Sequence, residues 1–574
     1  MRLACQNWGR LAGTALAAVM LALPAFADVP NPKVTGPISV KVKPGDPSHN
    51  YPWMATIHPI AQAGYIEEEF FFEGTARAYN TTGDNAMKGV VASEGHPYRT
   101  RMIVRRPKDM KKFNGVVLAE WQNVTAGYDL DAMWGGSYEH IMREGYVWVG
   151  ISAQYVGVNR EPNGLKVWSP VRYGTLDVTD GGKVAQDALS YDIFAQGMEA
   201  VRDPQGVNVL GGAKPKTVIA MGASQSAGRL GTYINALHGE LGSPVNGYLL
   251  MIGGAKVRED LNVPVFKLLS ETDIPGQVRS RQPDTDKFRL WEVPGASHSS
   301  RRTSMNAGPL TKRDNVERAA ANCTYPTYPR VPMNYVMAAL YDHFVDWIEK
   351  GKAPPTVARV EVTEPAPAAA APAPPAAGAP PARPPGAVIK RDARGNAASG
   401  GIRLAEFDPA IALNTGANGG SGFCNLYGRF EPFDDATLAT LYPTHKAYTD
   451  AVNKQIDANL KAGYIVDVDA KQSRTRAEQS IIGLGLKCAE TCHNAQDLLD
   501  SAYFYLGASD QLSSMTTRLA GVVRTIGEGK NDKAKADLKS VVKDLRSQQS
   551  KGKLSQATVD ELSTAADKVL ASLT

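Results

Sequence analysis

The sequence predicts an α/β protein, a mostly parallel sheet with helices on both faces, and three observations lead there. Between residues 116 and 293, short and continuously apolar runs alternate with stretches of helical spacing, the pattern of strands buried on both faces. An antiparallel pair of β-type segments precedes them. One run turns sharply at a serine into a helix, a strand–turn–helix unit with chemical meaning of its own.

In chain order, the antiparallel pair covers 68–79 and 99–105, and the parallel runs cover 116–121, 146–153, 217–221, 248–252, 263–269 and 288–293. Helical patterns at 190–201 and 228–237 supply the crossovers that parallel strands need. Residues 365–385 are almost entirely Ala and Pro, a composition that builds no core and behaves as a semi-rigid extended tether. That stretch is either a boundary between two domains or a surface insertion within one. After about residue 486 the texture changes. Leu512, Met515, Leu519, Val522 and Ile526 keep helical spacing, as do Leu538, Val541, Val542 and Leu545, then Val559, Leu562, Ala566 and Val569. These predict a small C-terminal module of three amphipathic helices, without a chemical constellation.

The chain has 574 residues, of which 43% are hydrophobic and 21% charged, which excludes a disordered, collagen-like or polytopic membrane chain. A net charge of +5 over this length is no footprint for a polyanion, so no nucleic-acid partner is expected. Residues 1–27 carry Arg2 and Arg10, an apolar run at 11–23 and Pro24-Ala25-Phe26-Ala27. A basic start, a short apolar core and small residues before the cut describe a secretory signal peptide, and the run falls short of the ~20 residues a membrane span needs. The mature protein is therefore expected to be periplasmic or secreted, with no stable membrane insertion. Cys5 leaves with the signal, and Cys323, Cys424, Cys488 and Cys492 remain. An even number of cysteines in an oxidising compartment predicts disulfides, with three pairings open. Cys323 with Cys424, both in polar loop regions, is the favoured pairing, and Cys488 with Cys492 then follows by elimination.

The strand at 217–221 runs into Gly222-Ala223-Ser224-Gln225-Ser226-Ala227-Gly228-Arg229. A strained strand-to-helix turn exposes Ser224 Oγ above the sheet edge, and residues two positions to either side must be small. Gly222 and Ser226 meet that condition, with Ser226 where a second glycine is usual. A serine hydroxyl needs a base, and His298 follows the last strand on Pro294-Gly295-Ala296-Ser297-His298. Between the two, Ser270-Glu271-Thr272-Asp273 offers two carboxylates. Asp273 has the better offset from the strand end, and Glu271 is the alternative acid. The order Ser, acid, His on three successive strand ends predicts a nucleophile, a base and an orienting acid. The Gln225 backbone N–H should face the developing oxyanion, and Gln122, or else Asn123, should supply the second donor from the loop after 116–121.

At these residues the chain resembles the α/β-hydrolase superfamily, and within it a bacterial family of secreted α/β-hydrolase-domain proteins. The resemblance also rests on Gly64-Tyr65-Ile66-Glu67-Glu68-Glu69-Phe70, Glu120-Trp121-Gln122-Asn123-Val124, Ser190-Tyr191-Asp192-Ile193-Phe194 and Arg281-Gln282-Pro283-Asp284-Thr285-Asp286 with Trp291-Glu292-Val293. Beyond the Ala/Pro stretch it includes Gly395-Asn396, Gly400-Gly401-Ile402-Arg403, Phe430-Glu431-Pro432-Phe433 and Leu441-Tyr442-Pro443. It implies an α/β-hydrolase fold over about 35–484, and Ser224, His298 and Asp273 or Glu271 as machinery. It also implies an organisation into a signal peptide (1–27), the main hydrolase part (28–362), an insertion (363–387), a completing part (388–486) and the helical module (487–574). It implies no particular substrate.

The expected function is an exported serine hydrolase, foremost a carboxylic-ester hydrolase on a small or polymeric ester, needing no cofactor or metal. An amidase, peptidase or acyltransferase on the same triad is the alternative, with a non-catalytic binding protein of hydrolase fold behind it. Specificity is assigned to loops between 154 and 190, and Trp168, Tyr173 and Tyr191 either line the site or pack. The Asn123-Val124-Thr125 sequon is set aside, and Cys488-Ala489-Glu490-Thr491-Cys492-His493 is one residue too long for haem attachment. The helical module is read as a structural element or as a dock for a protein or envelope partner, so ester turnover should survive its removal.

Overall fold

The computed structural model describes residues 29–241, 244–318, 320–363, 387–506 and 510–573. The expected signal peptide at 1–27 and the Ala/Pro stretch at 365–385 lie outside the described residues. The core is one sheet of nine strands: β1 (Lys33–Thr35), β2 (Tyr65–Asn80), β3 (Val90–Pro107), β4 (Val116–Trp121), β5 (Val147–Ile151), β6 (Thr217–Ala223), β7 (Gly247–Met251), β8 (Val265–Ser270) and β9 (Phe288–Val293). Their order is β1-β2-β3-β5-β4-β6-β7-β8-β9, antiparallel from β1 to β5 and parallel from β5 to β9. The six parallel runs read from the sequence are these last six strands, shifted by one or two residues at their ends. β2 and β3 are longer than expected, because their hairpin continues beyond the buried stretch as an exposed ribbon.

The sequence of β2 and β3 explains how a charged ribbon enters a core. Arg101 and Arg105 of β3 are buried, and each has its carboxylate on β2: Arg101 Nη1 lies 2.9 Å from Glu69 and Arg105 Nε lies 2.8 Å from Glu67. Arg172 pairs with the other oxygen of Glu69 at 2.6 Å, and the Tyr173 hydroxyl donates to Glu69 at 2.6 Å. This network holds the loops of 154–190 against β2.

The helices that matter to the site are α1 (Ala132–Arg143), α2 (Ser190–Arg202), α3 (Gln225–Thr232), α4 (Arg301–Arg313) and α5 (Met333–Lys350). Beyond the Ala/Pro stretch come α6 (His445–Ala462) and α7 (Asp467–Gln479). Val362–Thr363 and Val388–Ile389 pair as an antiparallel ladder, so the chain leaves and returns at one place around the Ala/Pro stretch. Residues beyond it join the same core: Ile402 N–H donates to Glu292 O at 2.7 Å, and Phe407 packs on the loop after β9. The Cys323–Cys424 and Cys488–Cys492 disulfides are both present.

The C-terminal module has four helices where the sequence reading has three: α8 (Glu490–Leu506), α9 (Asp510–Gly527), α10 (Asn531–Ser550) and α11 (Gln556–Ser572). The missed helix α8 buries Cys492, Ala495, Leu498 and Ala502, a helical spacing that stands in the sequence beside the two-cysteine motif. Among the described residues, no helix is long and apolar enough to cross a membrane.

Candidate active site

β6 delivers Ser224 at a turn with φ 57° and ψ −114°, a backbone region that a non-glycine residue occupies only under constraint. The constraint is visible in its neighbours. A Cβ on Gly222 would come within 2.7 Å of Ser226 O, so glycine is required for α3 to pass this close to β6. Ser226, in the position of the usual second glycine, is buried and adds two bonds. Its hydroxyl donates to Ala223 O at 2.9 Å and accepts from Ala223 N–H at 3.1 Å, which staples the turn shut. Ser224 N–H donates to Met251 O at 2.9 Å and anchors the turn to the end of β7.

The loops after β8 and β9 bring the other two side chains to this serine. His298 Nε2 lies 2.9 Å from Ser224 Oγ, and His298 Nδ1 lies 2.6 Å from Asp273 Oδ1. Asp273 Oδ2 is held in turn by Ser270 N–H at 3.0 Å and by Ser270 Oγ–H at 2.6 Å. Both acid and imidazole are largely covered, with side chains 8% and 12% exposed, which strengthens their interaction relative to water.

Glu271, the other carboxylate of this loop, is turned away from His298 and fully engaged. Its Oε1 accepts from Arg391 Nη1 at 2.6 Å, Thr415 Oγ1 at 2.7 Å and Gly416 N–H at 3.0 Å. Its Oε2 accepts from Gly295 N–H at 2.6 Å, three residues before His298. Thr272 completes the clasp: its hydroxyl donates to Gly416 O at 2.7 Å and accepts from His298 N–H at 3.1 Å. Ser299 N–H donates to Leu426 O at 2.9 Å. The segment beyond the Ala/Pro stretch thus grips both the acid loop and the histidine loop.

Gln225 heads α3, where the first N–H groups of a helix have no intrahelical acceptor. The expectation for the second oxyanion donor is corrected. Gln122 N–H donates to Ile151 O at 3.3 Å, continuing the β4–β5 ladder, and Asn123 N–H donates to Leu130 O at 3.2 Å. Among the described residues, Val124 and Ala126 in the same loop have N–H groups with no acceptor. The Asn123 side chain is buried and ties this loop to the serine turn by donating to Ala223 O at 2.8 Å.

Ser224 and His298 open into a cavity of about 210 Å³, walled on its apolar side by Tyr128, Leu130, Met133, Met251, Met337 and Leu426. No residue of 154–190 lines it, which corrects the placing of specificity there. Trp168 packs edge-on against Trp53 and donates to Asp314 O, Tyr173 holds Glu69, and Tyr191 lies under Arg229. The walls come instead from the loop after β4, from α1, α4 and α5, and from residues 423–427. The helical module, read from the sequence as a structural element or a dock, packs beside the site. α8 seats on α4, directly after the histidine loop: the Tyr505 hydroxyl donates to Met305 O at 3.1 Å, and Arg301 donates to Asp497 O at 2.9 Å.

A parallel sheet carrying a serine at a strand-to-helix turn and a histidine past its last strand defines the class of α/β hydrolases. The family model for the alpha/beta hydrolase domain matches residues 34–475, and the chain belongs to that family. No curated protein matches the chain significantly in sequence. Among solved structures, a cold-adapted esterase from an Arctic intertidal metagenomic library is 13% identical, with 43% of this chain and 94% of that one covered and a TM-score of 0.25. A lid-less α/β serine hydrolase of Xanthomonas campestris is 13% identical over 38% of this chain and 88% of its own, TM-score 0.23. Oligopeptidase B of Trypanosoma brucei is 11% identical over 44% of this chain and 38% of its own, TM-score 0.25.

Proposed function

We propose that the protein is a serine hydrolase acting on carboxylic esters, and the observation that carries this is the Ser224–His298–Asp273 hydrogen-bond chain opening into a cavity. Ser224 Oγ attacks the ester carbonyl as His298 Nε2 takes its proton. Asp273 accepts from His298 Nδ1–H, which fixes the tautomer that leaves Nε2 free as a base and stabilises the imidazolium that forms. The tetrahedral oxyanion is received by Gln225 N–H and by the N–H of Ala126, which has no acceptor among the described residues and lines the cavity, in place of Gln122. Each such donor contributes roughly two to three orders of magnitude in rate. His298 then returns its proton to the leaving alcohol, and water releases the acid from the acyl-enzyme.

The same reading places the enzyme outside the cytoplasm, with residues 1–27 as its export signal. Two disulfides support that address, since they persist in oxidising compartments. A fluorophosphonate probe should label Ser224, and Ser224→Ala should abolish turnover of short p-nitrophenyl esters. Unlabelled Ser224, or full activity in the variant, would overturn the proposal.

A further inference from the structure

Ser300, Arg302, Met333 and Asn334 line both the cavity at Ser224 and a second chamber of about 90 Å³ between α4, α7 and α8. The charged residues lining that chamber are Arg301, Arg302, Arg330, Arg476 and Asp500, four guanidinium groups against one carboxylate. Asp497 lies nearby and outside the lining, so three of the arginines share two carboxylates. Arg301 reaches Asp500 at 3.2 Å, Arg330 reaches Asp497 at 2.6 Å and Asp500 at 3.3 Å, and Arg476 reaches Asp500 at 3.5 Å. Arg302 lies between the rings of Tyr138 and Phe504, 4.8 Å and 5.0 Å from their centroids, and pairs with Glu139 at 3.0 Å. The buried Nε atoms of Arg302 and Arg476 have no hydrogen-bond partner.

Buried guanidinium N–H groups left without acceptors are costly, and the arrangement invites one more anion. Burial, and after it the nearby Arg330, bring Arg301 down to about 10, whereas, against burial, Glu139 holds Arg302, and Tyr335, Asp500 and Glu406 hold Arg476, above the ordinary guanidinium value. We propose that this chamber is a subsite for a carboxylate carried by the ester substrate, so that the enzyme prefers esters with an acidic group on the acid or alcohol side. The anion is assigned to the substrate because Ser300, Arg302, Met333 and Asn334 separate the chamber from the space that holds Ser224 by no more than their own side chains. Phe504, Tyr503 and Asp500 make the helical module one wall of the substrate site. This deepens the serine-hydrolase reading and rests on it.

The test compares matched esters on the full chain. On the acyl side, p-nitrophenyl half-esters of dicarboxylic acids from succinate to pimelate are set against neutral p-nitrophenyl alkanoates of equal length. On the alcohol side, 4-acetoxybenzoate is set against phenyl acetate. The expected result is a kcat/KM preference for the acidic member of roughly 10- to 100-fold at one length or on one side, the worth of a charged hydrogen-bonded pair. In Arg330→Gln and Arg476→Gln the acidic-to-neutral ratio should collapse. Equal or better turnover of every neutral ester, or a ratio unmoved in both variants, would overturn the proposal. Calorimetric titration of glutarate and adipate into Ser224→Ala reads the chamber without catalysis and without disturbing its arginines. Binding weakened by salt is expected; no binding, or equal binding of inorganic phosphate as an adventitious ion only, refutes the subsite. An enzyme that turns over no ester and escapes the fluorophosphonate probe would sink the hydrolase reading, while the titration still decides the chamber.

Discussion

Two carboxylates two residues apart offer themselves as the orienting acid, and their variants should fail in opposite ways. In Asp273→Asn the amide oxygen must take the place of Oδ2, because Ser270 N–H and Oγ–H both donate there. The new NH₂ group then faces His298 Nδ1 and forces the tautomer with a proton on Nε2, which cannot accept from Ser224. The expected loss is about 10⁴ in kcat, roughly 5.5 kcal/mol of barrier, with stability almost unchanged. In Glu271→Gln the oxygen stays with Arg391, Thr415 and Gly416, and the NH₂ group meets Gly295 N–H donor to donor. A buried N–H without an acceptor and a weakened ion pair together cost about 2–4 kcal/mol of stability. Activity should fall only through the displaced histidine loop, by at most about 10²-fold. Turnover of p-nitrophenyl acetate and urea unfolding, measured on both variants, decide the matter. A Glu271→Gln enzyme that is fully stable and nearly dead, beside an active Asp273→Asn, would refute the assignment.

Other consequences follow from the same contacts. Truncation before Glu490 removes Phe504 and Tyr505 from α4 and should lower both the melting temperature and ester turnover, the latter at least ~10-fold by misplacing groups near the chemistry; undiminished turnover would show that α4 holds the histidine loop unaided. Reduction of Cys323–Cys424, which spans 101 residues, should destabilise the fold by about 4–5 kcal/mol in the chain-entropy model, and a melting temperature indifferent to reductant would count against that role. Glu120 lies fully buried beneath α1, and burial raises its carboxyl to about 8 from an ordinary 4.5. Its contribution to stability is therefore present below pH 4.5 and is lost as pH rises towards 8, on the order of 3 kcal/mol by pH 7. Glu120→Gln should flatten that slope in denaturant titrations at pH 5 and pH 8, and an unchanged slope would exclude Glu120 as its source.

Much of this protein is written locally. The positions of the parallel strands and the serine turn follow from patterns within a few residues, since a buried strand must be apolar and the turn at Ser224 tolerates only small neighbours at 222 and 226. The chain order of Ser224, then Asp273 or Glu271, then His298 puts each at the end of a strand legible in the sequence. What the sequence by itself could not decide depends on pairings between distant segments. Glu271 and Asp273 differ little in local offset, and they part only because Arg391, Thr415 and Gly416, more than a hundred residues on, occupy Glu271. Gln122 N–H looks free in sequence and is consumed by the register of β4 against β5. The cavity walls at 423–427 and the arginine chamber under α8 arise from helices and loops that meet only when the chain folds back on itself. Periodicity and turn chemistry act over a few residues and are legible in one dimension, whereas hydrogen-bond acceptors and counter-ions are assigned by tertiary contact.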